Sequence, residues 1–413
     1  MTSSESILFP MGRLEYQWRR ALTRRQALLA TAGFLAGSPL LRSQQDPFRD
    51  HSRVPAMNEL LTVFDFEPVA FAKVTREAYQ YTALGVEGEF TLRRNREAFD
   101  WVDLVPRAMV NVSAIDPSTE VLGMKMAYPL MIAPSAGHGQ LHPNGELDTH
   151  RGATAASNTP LIVSTVASFP IDKIAAAAAG PLWFQLYARD TDEGNRELVE
   201  NAQAAGCRAI ALTVDVQYTS HRERVLHNRN LTGGVPAGAL GSSARRRSEQ
   251  VPLTRYGTRG QTPYIGWATI KQLRAYTKVP LLLKGILTGD DARLALDHGV
   301  DGVIVSNHGG RYLDYAPSSL EALPEIVEAV GGRIPVLVDS GFRRGADVVK
   351  ALALGAKAIC LGRVPRWGLG AYGAPGVQRV LEILQAELVL AMAHLGRPTL
   401  ASLDRTAVRT NFL

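Results

Sequence analysis

Residues 306–314, which read SNHGGRYLD, follow the apolar run VDGVIV and combine a histidine, two glycines, an arginine and an acid. His308 is a candidate general base, because an imidazole changes its charge near neutral pH. Asp215, which ends another apolar run, could hold the His308 ring and stabilise its protonated form. Arg311 and Arg222 are candidates for binding a substrate carboxylate, since a guanidinium donates two parallel hydrogen bonds to a carboxylate. These residue types predict acid–base chemistry on a substrate that carries a carboxylate.

Glycines and arginines follow two further apolar runs, in VDSGFRRG and LGR. Gly341 and Gly362 could expose backbone N–H groups, and Arg343 and Arg363 could add charge-assisted hydrogen bonds to a phosphate. Lys284, at the end of the run VPLLLKG, could balance negative charge that develops on a cofactor ring. The pattern therefore predicts a cofactor that carries a phosphate.

Eight short apolar runs occur from residue 128 onward, and stretches rich in Ala, Leu and Glu separate most of them. The runs are YPLMIAPS (128–135), PLIVST (160–165), LWFQLYA (182–188), AIALTVD (209–215), VPLLLKG (279–285), GVIVSNH (302–308), IPVLVDS (334–340) and AICLGR (358–363). They lack strict alternation, which is typical of strands buried on both faces. Eight repeats predict an α/β fold, a (β/α)8 TIM barrel with an N-terminal helical extension, whose function collects where the strands end. A doubly wound open sheet is the alternative, although no GxGxxG motif follows the first run.

The formal net charge of +6 lies mostly in residues 1–53, which hold eight Lys or Arg and four Asp or Glu. The remaining residues carry only +2, so the composition gives no indication of nucleic-acid binding. Cys207 and Cys360 are flanked by apolar residues, which predicts buried thiols and no disulfide. No CxxC or HExxH spacing is present, and we therefore expect no metal.

Residues 1–53 are predicted to form a leader, and residues 54–413 the barrel domain. In LTRRQALLATAGFLAGSPLL (22–41), paired arginines precede an apolar stretch too short to span a bilayer. This order resembles a twin-arginine export signal, and the alternative is an amphipathic or unstructured leader on a cytoplasmic protein. The barrel pattern is interrupted at about 216–278 by a loop insertion that is a candidate lid, and the alternative is a disordered insertion with no catalytic part. The insertion contains no apolar stretch suited to stable membrane insertion.

The signature SNHGGRYLD, with further motifs in order from about residue 58 to the C-terminus, resembles the FMN-dependent L-2-hydroxy acid oxidases and dehydrogenases. The resemblance implies that His308 is the base, that Asp215 supports it, and that Tyr187 contacts the substrate hydroxyl oxygen. The residues implied to hold the substrate carboxylate are Tyr81, Arg222 and Arg311. The residues implied to contact FMN are Ser135, Ala136, Ser164, Gln185, Thr213, Lys284, Ser306, Asp339, Gly341, Arg343, Gly362 and Arg363.

Within that family, APSAGHGQLHPNGE and the Ser340 of VDSGFRRG look closest to lactate oxidase. The resemblance implies oxidation of a lactate-like L-2-hydroxy acid to the 2-keto acid, with O2 reduced to H2O2, by a homotetramer or octamer. The alternative is a dehydrogenase that passes electrons to a quinone or a cytochrome. Val166 stands where glycolate oxidases carry a tryptophan, which predicts a wider pocket, and Tyr312 replaces the usual glutamine of the signature.

Two other classes of protein stay open. A different barrel enzyme, such as a phosphosugar isomerase or another FMN or nucleotide oxidoreductase, would share the phosphate site. It would not need Tyr81, Tyr187, Arg222, His308 and Arg311 together. A non-enzymatic flavin-binding module would also bind the cofactor, but it would have no reason to retain these five side chains.

Overall fold

A computed structural model describes residues 53–216, 220, 222–225 and 265–412 of the chain. Its centre is a closed barrel of eight parallel strands, numbered in chain order after three shorter strands. The barrel strands are β4 (Leu130–Ile132), β5 (Leu161–Ser164), β6 (Leu182–Leu186), β7 (Ile210–Thr213), β8 (Leu281–Ile286), β9 (Gly302–Val305), β10 (Val336–Asp339) and β11 (Ala358–Leu361). Neighbours in sequence are neighbours in space, and β11 pairs with β4 to close the barrel. Seven strands lie within their apolar runs, β8 extends one residue beyond its run to Ile286, and the predicted TIM barrel is confirmed.

Helices cover the outside of the barrel. They are α1 (Phe66–Lys73), α2 (Arg76–Ala83), α3 (Phe90–Glu97), α4 (Gly145–Ala155), α5 (Ile171–Ala177), α6 (Asp192–Ala204), α7 (Ala268–Arg274), α8 (Gly289–Asp297), α9 (Ser319–Val330), α10 (Gly345–Ala353) and α11 (Arg363–His394). The last consists of two helical segments joined at a kink, because Tyr372 and Gly373 have non-helical backbone angles. Helices α1 to α3 form the expected N-terminal extension.

Two separate hydrophobic layers explain why the strands are apolar on both faces. One cluster fills the barrel interior and includes Met131, Trp183 and Leu282. The antiparallel hairpin of β2 (Thr119–Val121) and β3 (Met124–Met126) contributes to this inner cluster. The larger outer cluster packs the other faces of the strands against the helices. A short antiparallel pair, β1 (Val102–Leu104) with β12 (Val408–Thr410), links the extension to the C-terminal segment.

The predicted leader and most of the predicted insertion lie outside the described residues. Of the leader, only Arg53 is described, and of residues 216–278 the structure describes 216, 220, 222–225 and 265–278. Helix α7 falls inside the range assigned to the insertion and connects β7 to β8 as a crossover helix. The insertion range therefore includes a short helix that begins at Ala268, and a lid formed by its other residues stays a prediction. Among the described residues, no helix is long and apolar enough to cross a membrane.

The acid of the SNHGGRYLD signature holds the N-terminal extension against the barrel. Asp314 accepts hydrogen bonds from the backbone N–H groups of Thr91 (2.8 Å) and Phe90 (3.2 Å), at the beginning of α3. The first N–H groups of a helix have no partner within the helix, and a carboxylate there satisfies both them and the helix dipole. Burial alone would raise the pKa of Asp314, but these N–H groups lower it below its ordinary value. This acid therefore has a structural role.

We predict that Asp314→Ala lowers the free energy of unfolding by about 1–3 kcal/mol, because two N–H groups at a buried helix end lose a charged acceptor. Since the pKa of Asp314 is lowered on folding, the wild-type contribution is present at neutral pH and is lost as the pH falls through the folded-state pKa. Urea unfolding at several pH values measures this loss. The control is Asp290→Ala, at an exposed carboxylate that pairs with Arg293, and its expected effect is within about 0.5 kcal/mol. Equal effects of the two substitutions would contradict the prediction.

Candidate active site

A polar cavity lies where the barrel strands end, as the fold predicts. Fourteen of the residues predicted from the sequence line it: Tyr81, Ser135, Ala136, Ser164, Tyr187, Arg222, Lys284, His308, Arg311, Asp339, Gly341, Arg343, Gly362 and Arg363. Four other predicted residues, which are buried or partly buried around it, do not line it: Gln185, Thr213, Asp215 and Ser306. The predicted site residues thus come from every barrel strand end and from α2, which carries Tyr81.

His308 is arranged as a general base. Its Nδ1 lies 2.9 Å from Asp215 Oδ1, and its Nε2 lies 3.5 Å from the Tyr187 hydroxyl. Opposing effects leave the pKa of Asp215 lowered: burial alone would raise it, but His308 and Lys284 lower it. The ionised carboxylate can only accept, so Nδ1 donates and Nε2 keeps its lone pair. Burial lowers the pKa of His308, and Asp215 only partly offsets this, so the ring is neutral and ready to take a proton at neutral pH.

Lys284 is a buried cation with two partners at neighbouring strand ends. Its Nζ forms an ion pair with Asp339 Oδ2 (3.0 Å) and donates to Ser306 Oγ (2.7 Å). Burial alone would lower the pKa of Lys284, but the carboxylates of Asp339 and Asp215 raise it above its usual value. Ser306 Oγ also accepts the backbone N–H of His308 (3.0 Å). The lysine is therefore charged at neutral pH, and Ser306 links it to the candidate base.

Arg343 and Arg363 are half-buried in the cavity wall, and neither takes part in an ion pair among the described residues. Their guanidinium groups donate to backbone carbonyls: Arg343 to Phe342 (2.8 Å), and Arg363 to Thr82 (2.9 Å) and Gly309 (3.0 Å). Burial lowers the pKa of Arg343 to about 10 and that of Arg363 well below its usual range. Half-buried cations whose guanidinium groups hold only neutral partners create a site that favours an anion, and a phosphate fits it.

Tyr81 lies among three guanidinium groups. The guanidinium carbons of Arg311, Arg222 and Arg366 are 4.9, 5.3 and 5.7 Å from the centroid of its ring. Burial alone would raise the pKa of Tyr81, but these three cations, Arg311 foremost, lower it. Arg311 also donates to the Tyr81 backbone carbonyl (2.8 Å). The arrangement brings together the phenol and both arginines that were predicted to hold a carboxylate.

Arg366 is a cavity residue that the sequence reasoning missed. It is 3% exposed, and it donates to the Ala136 carbonyl (2.7 Å) and twice to Thr82 Oγ1. Burial lowers its pKa to about 10, so it is charged at neutral pH. Its spacing in the sequence could have identified it as a cavity residue, because Arg366 follows Arg363 by three residues and both lie in the first turn of α11.

Two buried polar atoms without a protein partner show that the site fits a cofactor. Gln185 Nε2 and Thr213 Oγ1 have no hydrogen-bond partner among the described residues, although Gln185 Oε1 accepts from Ser164 (3.1 Å). Buried polar groups are rarely left unsatisfied in native proteins. Both lie at strand ends predicted to contact FMN, and a flavin ring with its ribityl chain carries donors and acceptors that could satisfy them.

The two glycines of the signature make room for other parts of the protein, and Gly309 also lines the cavity. Gly310 has a φ of +69°, and a Cβ there would lie 2.7 Å from the backbone nitrogen of Leu92 in α3. A Cβ at Gly309 would lie 2.9 Å from Arg363 Nη1. The reason is that α3 and Arg363 approach this loop from positions distant in sequence.

The pocket wall also differs from the expectation based on residue 166. Val166 is 45% exposed and is absent from the described lining of the cavity. Tyr312 does line it, and its ring meets that of His308 edge to face at a centroid distance of 4.7 Å. The described residues therefore give no support to a pocket widened at Val166, and they place an aromatic ring beside the base. Both cysteines are buried and free, as expected.

Comparisons with known proteins agree with this geometry. Residues 70–410 match the profile of the FMN-dependent dehydrogenase family. Glycolate oxidase 3 of Arabidopsis thaliana is 40% identical over 361 residues, which cover 86% of this chain and 97% of that protein. Glycolate oxidase 1 of Zea mays is 40% identical over 363 residues, with the same coverage. A crystal structure of mandelate oxidase superposes with a TM-score of 0.77 at 36% identity, covering 86% of this chain and 99% of that one.

We predict that Lys284→Met lowers the midpoint potential of the bound FMN, because reduced flavin that carries negative charge loses its counter-charge. Losing a buried charge interaction of about 1.5–3 kcal/mol corresponds to about 30–60 mV for a two-electron couple. Spectroelectrochemical titration of the flavin measures the shift. The control is Lys271→Met, at an exposed lysine of α7, which should leave the potential unchanged. An unaltered potential in folded, FMN-loaded Lys284→Met would contradict this role.

Proposed function

The chain belongs to the FMN-dependent dehydrogenase family, and we propose that it oxidises a lactate-like L-2-hydroxy acid to the 2-keto acid with O2 as the electron acceptor. Its relatives support an FMN-dependent 2-hydroxy acid oxidase that acts on a CH–OH group. The observation that carries the proposal is the neutral His308, held by Asp215 beside Tyr187 and the arginines around Tyr81. Oxidation of a 2-hydroxy acid needs a base next to both a hydroxyl contact and a carboxylate site, and this arrangement provides them.

The residues of the chain assign the steps. Arg311 and Arg222, with Tyr81, bind the substrate carboxylate and so fix the position of the carbon that carries the hydroxyl. Tyr187 contacts the hydroxyl oxygen, and burial raises the pKa of its phenol well above the usual value, so it stays protonated. Bound FMN supplies the redox chemistry by accepting two electrons.

The base is prepared for the proton that accompanies oxidation. His308 Nε2 takes a proton from the substrate, and the ionised Asp215 then stabilises the imidazolium through Nδ1. On the cofactor side, charged Lys284 offsets negative charge on the ring, and Arg343 and Arg363 with the glycines that follow β10 and β11 would hold the phosphate. The Asp215 carboxylate and Lys284 thus lie where charge develops during the reaction, and the two arginines lie where the phosphate charge already exists.

Four parts of the proposal rest on the sequence rather than on the geometry. Preference for a lactate-like side chain rests on the motifs around APSAGHGQLHPNGE. Oxygen as the acceptor rests on the same resemblance, with a quinone or cytochrome as the alternative. We also propose a homotetramer or octamer and export through the twin-arginine-like leader, with a cytoplasmic location as the alternative. Light scattering of the purified protein and cell fractionation of a tagged chain test the last two.

We predict that His308→Gln binds FMN but is reduced by 2-hydroxy acids about 10²–10⁴-fold more slowly, because the variant has no base. Anaerobic mixing with L-lactate, glycolate and L-mandelate, followed by bleaching of the flavin, gives the rate for each substrate. His298→Gln is the matched control, since His298 stacks on Trp267 outside the site. A His308→Gln variant that retains more than about a tenth of the rate would exclude this residue as the base.

We predict that the substrate-reduced enzyme regains its yellow colour in air-saturated buffer and forms H2O2. Rapid mixing of the anaerobically reduced protein with oxygenated buffer follows the colour, and a peroxidase-coupled assay follows the peroxide. The companion sample receives dichlorophenolindophenol without oxygen. Flavin that stays reduced for minutes in air, yet reoxidises at once with the dye, would establish the dehydrogenase alternative.

A further inference from the structure

A buried histidine connects the cavity wall to a helix behind it. His138 is 1% exposed, and its Nε2 lies 2.7 Å from the hydroxyl oxygen of Ser135, which lines the cavity. Its Nδ1 lies 2.8 Å from Thr149 Oγ1 in α4. Its backbone N–H donates to Glu146 Oε1 (3.1 Å), which fixes the main chain of this turn. The mechanism above gives His138 no role.

The Thr149 hydroxyl has one proton and two neighbouring acceptors, the Gly145 carbonyl at 3.2 Å and His138 Nδ1 at 2.8 Å. We infer that it donates to the Gly145 carbonyl, which can only accept. Thr149 Oγ1 therefore accepts from His138, whose Nδ1 carries the proton. A neutral ring has one donor nitrogen and one acceptor nitrogen, so Nε2 accepts from the Ser135 hydroxyl. The proton of Ser135 thus points away from the cavity.

The ring of His138 has strong reasons to stay neutral. Burial lowers its pKa well below the ordinary value, and the positive charge of Arg366 lowers it further. A second proton on the ring would place two donors against Thr149 and Ser135 and would add a cation beside Arg366. Within the described part of the chain, the bond to His138 is the only hydrogen bond of the Ser135 side chain. Its lone pairs are therefore available to a ligand.

We propose that His138 is a positioning residue that holds Ser135 Oγ as a hydrogen-bond acceptor toward a donor of the bound FMN. A series of hydrogen bonds runs from the Gly145 carbonyl through Thr149 and His138 to Ser135. It fixes the direction of the Ser135 hydrogen bond from outside the cavity. Arg366 reinforces the same segment, because it donates to the carbonyl of Ala136, the next residue. The inference needs FMN binding but not the proposed substrate or oxidant, so those can fail while it stands.

A double-mutant cycle on FMN affinity tests whether the two residues act through one hydrogen bond. The variants are Ser135→Ala, His138→Asn and the pair, each stripped of FMN and titrated with FMN by fluorescence. Asparagine can still donate to Thr149 but is too short to accept from Ser135. We expect each single variant to bind FMN about 3- to 10-fold more weakly than the wild type. The double variant should bind FMN no more weakly than the single variant with the lower affinity. Additive losses, or unchanged affinity in His138→Asn, would overturn the proposal.

A packing role for His138 would give different results. In that case His138→Asn would lower the thermal stability of the apoprotein. It would also weaken FMN binding further in a protein in which Ser135 is already alanine. His138→Gln serves as the conservative variant, because its Oε1 can accept from Ser135, and we expect it to bind FMN within about 2-fold of the wild type. If His138→Asn does not fold, Thr149→Val replaces it. This substitution removes the acceptor of His138 Nδ1, so that the proton is no longer held on that nitrogen. Unchanged FMN affinity in Thr149→Val would equally contradict the proposal.

The tautomer is also directly observable. With ¹⁵N-labelled histidine, and with His138→Gln to assign the signal, the holoprotein should show Nδ1 protonated and Nε2 bare for His138 at neutral pH. The opposite tautomer, or a doubly protonated ring, would overturn the proposed direction of the Ser135 hydrogen bond.

Discussion

Closure of the barrel is the constraint on which the site depends. When β11 pairs with β4, the ends of all eight strands meet on one rim, and side chains distant in sequence become neighbours. Lys284 shows the consequence, because it follows β8 but is paired with Asp339 from β10 and hydrogen-bonded to Ser306 after β9. An unpaired buried lysine would cost several kcal/mol and would shed its proton. The closed barrel keeps it charged beside the cofactor site.

The charge of the cavity explains why this rim binds anions. Five arginines line it, while Asp339 is the only described acidic residue that lines it, and Asp339 is committed to Lys284. The arginines are Arg222, Arg311, Arg343, Arg363 and Arg366. Their guanidinium groups donate mainly to backbone carbonyls and hydroxyls, which are neutral. A net positive charge therefore remains for ligands to neutralise. A phosphate and a carboxylate meet that requirement, and a neutral substrate would leave most of the field uncompensated.

The segment 306–314 joins structure to chemistry in one loop. His308 has a positive φ of +57°, an uncommon conformation for a residue other than glycine, and Asp215 and Ser306 hold it there. Six residues later, Asp314 fixes the beginning of α3. Gly310 lets α3 pack against the loop. The N-terminal extension therefore packs against the loop that carries the base.

The sequence by itself determined the eight strands, because strands buried on both faces need continuous apolar runs, and it placed candidate residues after them. It also placed His308 and Asp215 on one rim, since residues that follow separate barrel strands collect there. Only the tertiary structure decided the partners that come from outside the motif. Leu92 and Arg363 fill the space left by the signature glycines, Arg366 joins Tyr81, and Thr149 sets the tautomer of His138. Local patterns encode which face of an element is buried, whereas the atom that a side chain contacts depends on how distant elements pack.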